Sequence, residues 1–141
     1  MDLSETPLNQ EGPHMRSIMV SAVALFAFAG IAQADVMSGG ALFGSPSQTT
    51  AVCYIYNSGN AGINISSFRI TGQNGVSLPN TTNECGAFSA TLEGGKSCGI
   101  ASAANNQAFN CKANVSNKAN ARGVFEMRNG AGASITNVAL R

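Results

Sequence analysis

Most of the chemistry this chain could offer rests on four cysteines: Cys53, Cys85, Cys98 and Cys111. Thiolates can hold a metal, attack a substrate or pair as disulfides. A metal site would need all four of them, because the single histidine, His14, lies far upstream. The gaps of 31, 12 and 12 residues between neighbouring cysteines contain no C-x-x-C knuckle. Cysteine catalysis lacks a nearby His to raise the thiolate fraction. The same lack removes Ser–His machinery, and no G-x-S-x-G elbow is present. Past residue 34 there are only four acids, Asp35, Glu84, Glu93 and Glu126, and no two of them form a spaced pair on one strand face. Glu126 alternates with apolar neighbours and reads as a solvated strand residue. Gly94-Gly95-Lys96-Ser97 has neither the spacing nor the helix of a phosphate loop and reads as a turn. The expectation is a chain without catalytic residues, metal ligands or a cofactor, and therefore not an enzyme.

An even cysteine count in an exported chain of about this size reads as two disulfides. Three connectivities are open. We prefer Cys85–Cys98 with Cys53–Cys111. The first pair brackets a hairpin-like stretch with a turn at Glu93-Gly94-Gly95-Lys96. The second joins two strands far apart in the chain.

Export is read from the N-terminal segment. Met15-Arg16-Ser17 precedes an apolar run, Ile18 to Ile31, and Ala32-Gln33-Ala34 supplies small residues at a cleavage site. As a helix the run spans about 21 Å, short of the ~30 Å hydrocarbon core. We therefore expect a signal peptide cut after Ala34, no membrane span after processing, and a secreted or periplasmic protein. The polar stretch 1–14 suits no leader, so translation is expected to begin at Met15. Residues 1–34 are thus an extension plus signal peptide, 35–48 a flexible lead-in or edge strand, and 49–141 one domain. Beyond residue 34 there are seven Lys and Arg and four acids, a net charge of 7 − 4 = +3. That is too weak for a nucleic-acid binder. Lys112, Lys118, Arg122 and Arg128 gather in the last third and read as a solvated face.

The elements past residue 34 read as strands. Thr49 to Asn57 is rich in β-branched and aromatic residues; Cys53 and Ile55 share one face, with Val52, Tyr54 and Tyr56 on the other. The two tyrosines read as packing, or as an aromatic contact patch. A turn at Asn57–Gly62 leads to a strand over Ile63–Ile70, whose apolar parity shifts between Ile65 and Phe68, as a bulge would cause. A short strand is expected at Val76–Leu78, an irregular loop at Asn80–Glu84, and strands at Ala87–Leu92 and Ser97–Ala101. Residues 101–108 could make one helical turn. Ala108 to Val115 alternates cleanly, with Phe109, Cys111, Ala113 and Val115 inward. Arg122–Arg128 and Ala133–Leu140 flank Asn129-Gly130-Ala131-Gly132, a hairpin signal. Seven or eight short strands of this kind indicate an all-β sandwich.

Three segments carry a resemblance. Tyr56 to Ile65 (YNSGNAGINI), Cys85-Gly86 through Cys98-Gly99-Ile100, and Arg122 to Met127 (RGVFEM) are together similar to the immunoglobulin-like domains of the abnormal-spindle-like, SPD-2, hydin family and to small secreted bacterial sandwich proteins related to it. The resemblance spans roughly residues 50–128. The chain departs from the family pattern after Ile100, and Cys53 and Cys111 are additional. The resemblance implies an immunoglobulin-like fold and a role in binding or scaffolding, with no catalytic residues. The expected function is that of an exported, non-enzymatic module that binds or adheres to a surface, polymer or protein; the alternative is a structural subunit of a pilus, fibre or matrix. A protein or polymer partner is expected, not nucleic acid, with homo-oligomers formed by addition of an edge strand.

Overall fold

Ten strands follow from this pattern in the computed structural model, which describes residues 34–141 except 87 and 88. The leader expected over 1–34 lies outside the described residues but for Ala34. The strands are β1 (Asp35–Ser38), β2 (Leu42–Phe43), β3 (Gln48–Asn57), β4 (Ile63–Gly72), β5 (Asn80–Asn83), β6 (Ala90–Leu92), β7 (Ser97–Ala103), β8 (Ala108–Val115), β9 (Ala121–Asn129) and β10 (Ser134–Leu140). Every pairing is antiparallel. One sheet runs β10-β9-β3-β7-β5 and the other β1-β8-β4-β6, with β2 also on β8. They are called here the β3 sheet and the β8 sheet.

Period-2 alternation places one face of each sheet inward. From β3 come Ala51, Cys53 and Ile55, and from β8 Phe109, Cys111, Ala113 and Val115. They meet Ile63, Ile65, Phe68 and Ile70 of β4, Ile100 of β7, and Phe125 and Met127 of β9 in one apolar core. Two fully buried phenylalanines and a row of β-branched residues give it interdigitating bulk. The parity shift in β4 is a register break between Ile65 and Ser67 against β8. It keeps Ile63 and Ile65 inward on one side and Phe68 and Ile70 inward on the other. The β9–β10 hairpin closes as its sequence demands. Gly132 adopts φ +82°, and the Asn129 side-chain oxygen accepts the N–H groups of Ala131 and Ala133 at 3.0 and 2.9 Å.

Several local expectations are corrected. Asn80–Asn83 is a strand rather than a loop, lying on the outer edge of the β3 sheet with a register shift against β7. All four residues are exposed, so no apolar alternation marks them. Val76–Leu78 forms no strand; a single bridge joins Ser77 to Thr71. Val76 has no core to enter, and Pro79 removes the next donor. The stretch around Gly94-Gly95 is not a hairpin. β6 pairs with β4 and β7 with β3 and β5, so the turn carries the chain from one sheet to the other. Residues 101–108 make no helical turn, because β7 runs on to Ala103 and a bend leads into β8. Among the described residues the strands number ten, the short β2 and β6 included.

At the N-terminal end, β1 forms an edge of the β8 sheet, with Met37 opposite Ala113. Ser38 and Arg141 exchange both backbone hydrogen bonds, 2.9 and 3.1 Å, which ties the end of β1 to the other sheet. Met37 is only 2% exposed and plugs the core at this edge. Met37→Ala is expected to cost about 2 kcal/mol, the low end for a buried Met, since an edge strand can settle inward. Urea unfolding measures this; a midpoint equal to that of the parent would show that β1 does not seal the core.

Candidate functional site

The two disulfides form as the preferred connectivity. Cys53 on β3 pairs with Cys111 on β8, and Cys85 pairs with Cys98 on β7. Their Cα separations of 6.2 and 4.9 Å fall inside the usual span of roughly 4.4–6.8 Å. The first bond crosses the core between the sheets; the second ties the segment after β5 to the neighbouring strand of the same sheet. No cysteine is free. Among the described residues no three His, Cys, Asp or Glu side chains converge as metal ligands would.

On the outer face of the β3 sheet, polar and aromatic side chains from several strands meet. Alternation turns Thr50, Val52, Tyr54 and Tyr56 outward on β3. The register sets Val52 between Ala101 and Glu126, Thr50 opposite Arg128, and Tyr54 between Gly99 and Val124. Tyr54 lies flat over Gly99. A Cβ at that position would sit 2.6 Å from two of its ring carbons, so only glycine admits the ring there. Arg128 reaches along the sheet from the other end. Its guanidinium donates to the Tyr54 hydroxyl at 3.1 Å and stands 5.5 Å from the ring centroid. It also donates to and forms an ion pair with Glu126, two residues back on the same face. Burial opposes the charge on Arg128, yet the hydrogen bond and attraction of Glu126, with a smaller share from Tyr54, hold its pKa above the ordinary value.

Tyr54 and Arg128 thus reach towards one another across the row that Val52 occupies, and Val52 is only 5% exposed although it faces outward. Beside them lies a depression of about 270 Å³, walled by Thr50 and Gly132 on one side and by Thr82 and Glu84 on the other. Small-molecule sites usually measure roughly 300–1,000 Å³. A groove of this size suits one inserted side chain or one sugar ring. Its lining includes the Tyr54 ring, the Arg128 guanidinium and one carboxylate, that of Glu84, which suits hydrogen bonding and stacking to a polar, flat group.

The tyrosines divide. Tyr54 is a fixed part of the depression, while Tyr56 projects and is 45% exposed. The four late cations do not form one patch. Arg122 and Arg128 lie on β9 and Lys112 on β8. Lys118 sits in a turn where its backbone N–H donates to Asp35 at 3.1 Å. Sequence reasoning put Tyr54 on the face of its strand opposite Cys53 and read Glu126 and Arg128 as solvated, but did not set the three beside one another. Only the β3–β9 register does that, and no local signal carries it.

Fold and site together define a two-sheet, all-β domain with one disulfide through its core, one along a sheet edge, and a small polar–aromatic depression on an outer face. No family model matches the chain, and neither a curated protein nor a solved structure matches it.

Proposed function

We propose that the protein is an exported, non-enzymatic binding module of immunoglobulin-like type whose ligand docks on the outer face of the β3 sheet. The Tyr54–Arg128–Glu126 constellation carries this reading. A guanidinium held by both a ring hydroxyl and a carboxylate is preorganised, and preorganised polar groups beside a shallow groove lower the ordering cost of binding. Export is supported by the pairing of all four cysteines, which is compatible with an oxidising compartment.

The immunoglobulin-like assignment draws support from the sheet plan. β3-β7-β5 and β4-β8 follow the order of the B-E-D and C-F strands of such domains, and the core disulfide joins the B and F equivalents. The chain departs from the plan at both ends. β1 stands beside β8 where the last strand would stand, and β9 lies beside β3 where the first would. It also has no Trp to pack on the core disulfide.

The test is a glycan and peptide array probed with the parent protein and with Tyr54→Ala, Arg128→Gln and Gly99→Val, alongside Val76→Ser as a distant surface control. Loss of a charged hydrogen bond of this kind lowers affinity by roughly tenfold. The parent's bound set should fade in the first three and persist in the control. A set unchanged in all three, or a parent that binds nothing, overturns the assignment.

A second reading, a structural subunit that adds its first strand to a neighbour, is favoured by β1. The strand is short, contributes Met37 to the core, and is followed by Gly39-Gly40, where Gly40 is unobstructed. Moving β1 to the β8 edge of another copy would conserve each of its hydrogen bonds. Polymers that lengthen with concentration in electron micrographs would establish this reading; a monomer at every concentration would remove it.

A further inference from the structure

The opposite face of the molecule contains an arrangement that folding alone does not favour. Arg69 of β4 and Lys112 of β8 are direct cross-strand partners on the outer face of the β8 sheet. Like charges directly opposite each other weaken a sheet. Among the described residues neither cation has a carboxylate within ion-pair distance; the one ion pair is that of Arg128 with Glu126. The acid on the neighbouring edge strand, Asp35, accepts the Lys118 backbone N–H instead.

The rows on either side of the cations are uncharged and, but for the exposed Val36 of β1 opposite Asn114, polar. Asn110 stands opposite Thr71, and Asn114 opposite Ser67. The side-chain oxygens of Asn110 and Asn114 are buried without a hydrogen-bond partner, so the amides that bracket Lys112 would meet a ligand through their NH2 groups. The face therefore presents a double positive charge at its centre and amide and hydroxyl groups about 7 Å away along the strand on both sides.

We propose that this face binds a carboxylated polysaccharide, with a sugar carboxylate between Arg69 and Lys112 and the sugar hydroxyls along the amide and hydroxyl rows. Charge complementarity identifies the polymer as anionic. Two cations fall below the roughly four to eight that hold a protein on anionic lipid. This face carries a single exposed aromatic, Phe43 of β2 one row beyond Asn110, where single-stranded nucleic acid requires several stacking rings in succession. A polymer that alternates carboxylate and hydroxyl groups matches the alternation of charged and amide rows. The inference rests on the reading of the chain as a binding module, but it uses a different sheet from the Tyr54 depression.

Retention on immobilised polygalacturonate, eluted by rising salt, tests it. The parent should be retained there and pass through neutral dextran. Arg69→Gln and Lys112→Gln should each weaken retention by roughly tenfold, and the double variant should abolish it. Lys96→Gln, which removes one charge from a turn, should have no effect. Because either substitution relieves the repulsion, both variants should melt at or above the parent temperature, which separates lost binding from lost folding. Retention that survives the double variant, no retention of the parent, or stronger binding to anionic vesicles or DNA would each overturn the proposal. The array result for Tyr54→Ala is untouched by any of these outcomes, so failure of one face is distinguishable from failure of the other.

Discussion

Replacing Cys53 and Cys111 together by alanine should lower the free energy of unfolding by about 4 kcal/mol from chain entropy alone, against about 3 kcal/mol for Cys85 and Cys98. The difference comes from the loops that each bond closes, with sequence separations of 58 and 13 residues. The core pair loses more than entropy, because both of its sulfurs are completely buried between the sheets and their removal leaves a void that the two sheets must close. A domain of this size is stable by only about 5–15 kcal/mol. The doubly substituted core variant should therefore unfold at markedly lower urea, or fail to accumulate, while the edge variant remains folded. Urea midpoints of the two variants decide the matter; an edge variant that is equally or more destabilised would refute the ordering.

Asn57→Ala should cost roughly 3 kcal/mol, close to the loss of a disulfide. Asn57 is completely buried at the end of β3. Its amide donates to the carbonyls of Ala61 and Leu92, both at 2.8 Å, and its oxygen accepts the Gly59 N–H at 3.0 Å. Its backbone is engaged too: the carbonyl accepts the Gly95 N–H at 2.8 Å and the N–H donates to Lys96 at 2.9 Å. One residue thus joins β3, the following turn, the end of β6 and the turn into β7. Alanine would leave two carbonyls and one N–H without these partners. Asn57→Asp separates geometry from chemistry. The new carboxylate would keep the acceptor for Gly59 but point a second oxygen at two carbonyls. Protonation restores one donor, so the folded form would bind that proton more tightly than the unfolded chain. The deficit relative to the parent should then grow as pH rises through the raised pKa and shrink as pH falls. Thermal melts across pH measure it, and a deficit independent of pH would contradict the assigned hydrogen bonds.

Asn57 also shows where sequence reasoning stops. In the chain it opens Asn-Ser-Gly-Asn-Ala-Gly and reads as turn chemistry, which is correct locally. Its partner Leu92 lies 35 residues away, and nothing within the turn announces it. β5 was invisible for the opposite reason: an edge strand exposed on both faces has no apolar period, and only its pairing with β7 makes it a strand. The turn at Gly94-Gly95 looked like a hairpin because local residues specify that the chain reverses. They do not specify whether it returns beside itself or in the facing sheet.

Local alternation was enough to determine the all-β class, the inward face of β8, the division of β3 into two faces, the bulge in β4 and the final hairpin. Side-chain period depends only on a strand's own geometry, and turn residues act over four positions. The cysteine count indicated two disulfides, but left three connectivities open, and the pairing of strands decided among them. Tertiary structure alone decided which strands are neighbours. From that pairing follow the seat of Tyr54 on Gly99, the contact of Arg128 with Tyr54, the meeting of Arg69 with Lys112, and the burial of Asn57. Each is a contact between strands distant in the chain, and its register is chosen by packing the whole core at once rather than by any residue within the strand.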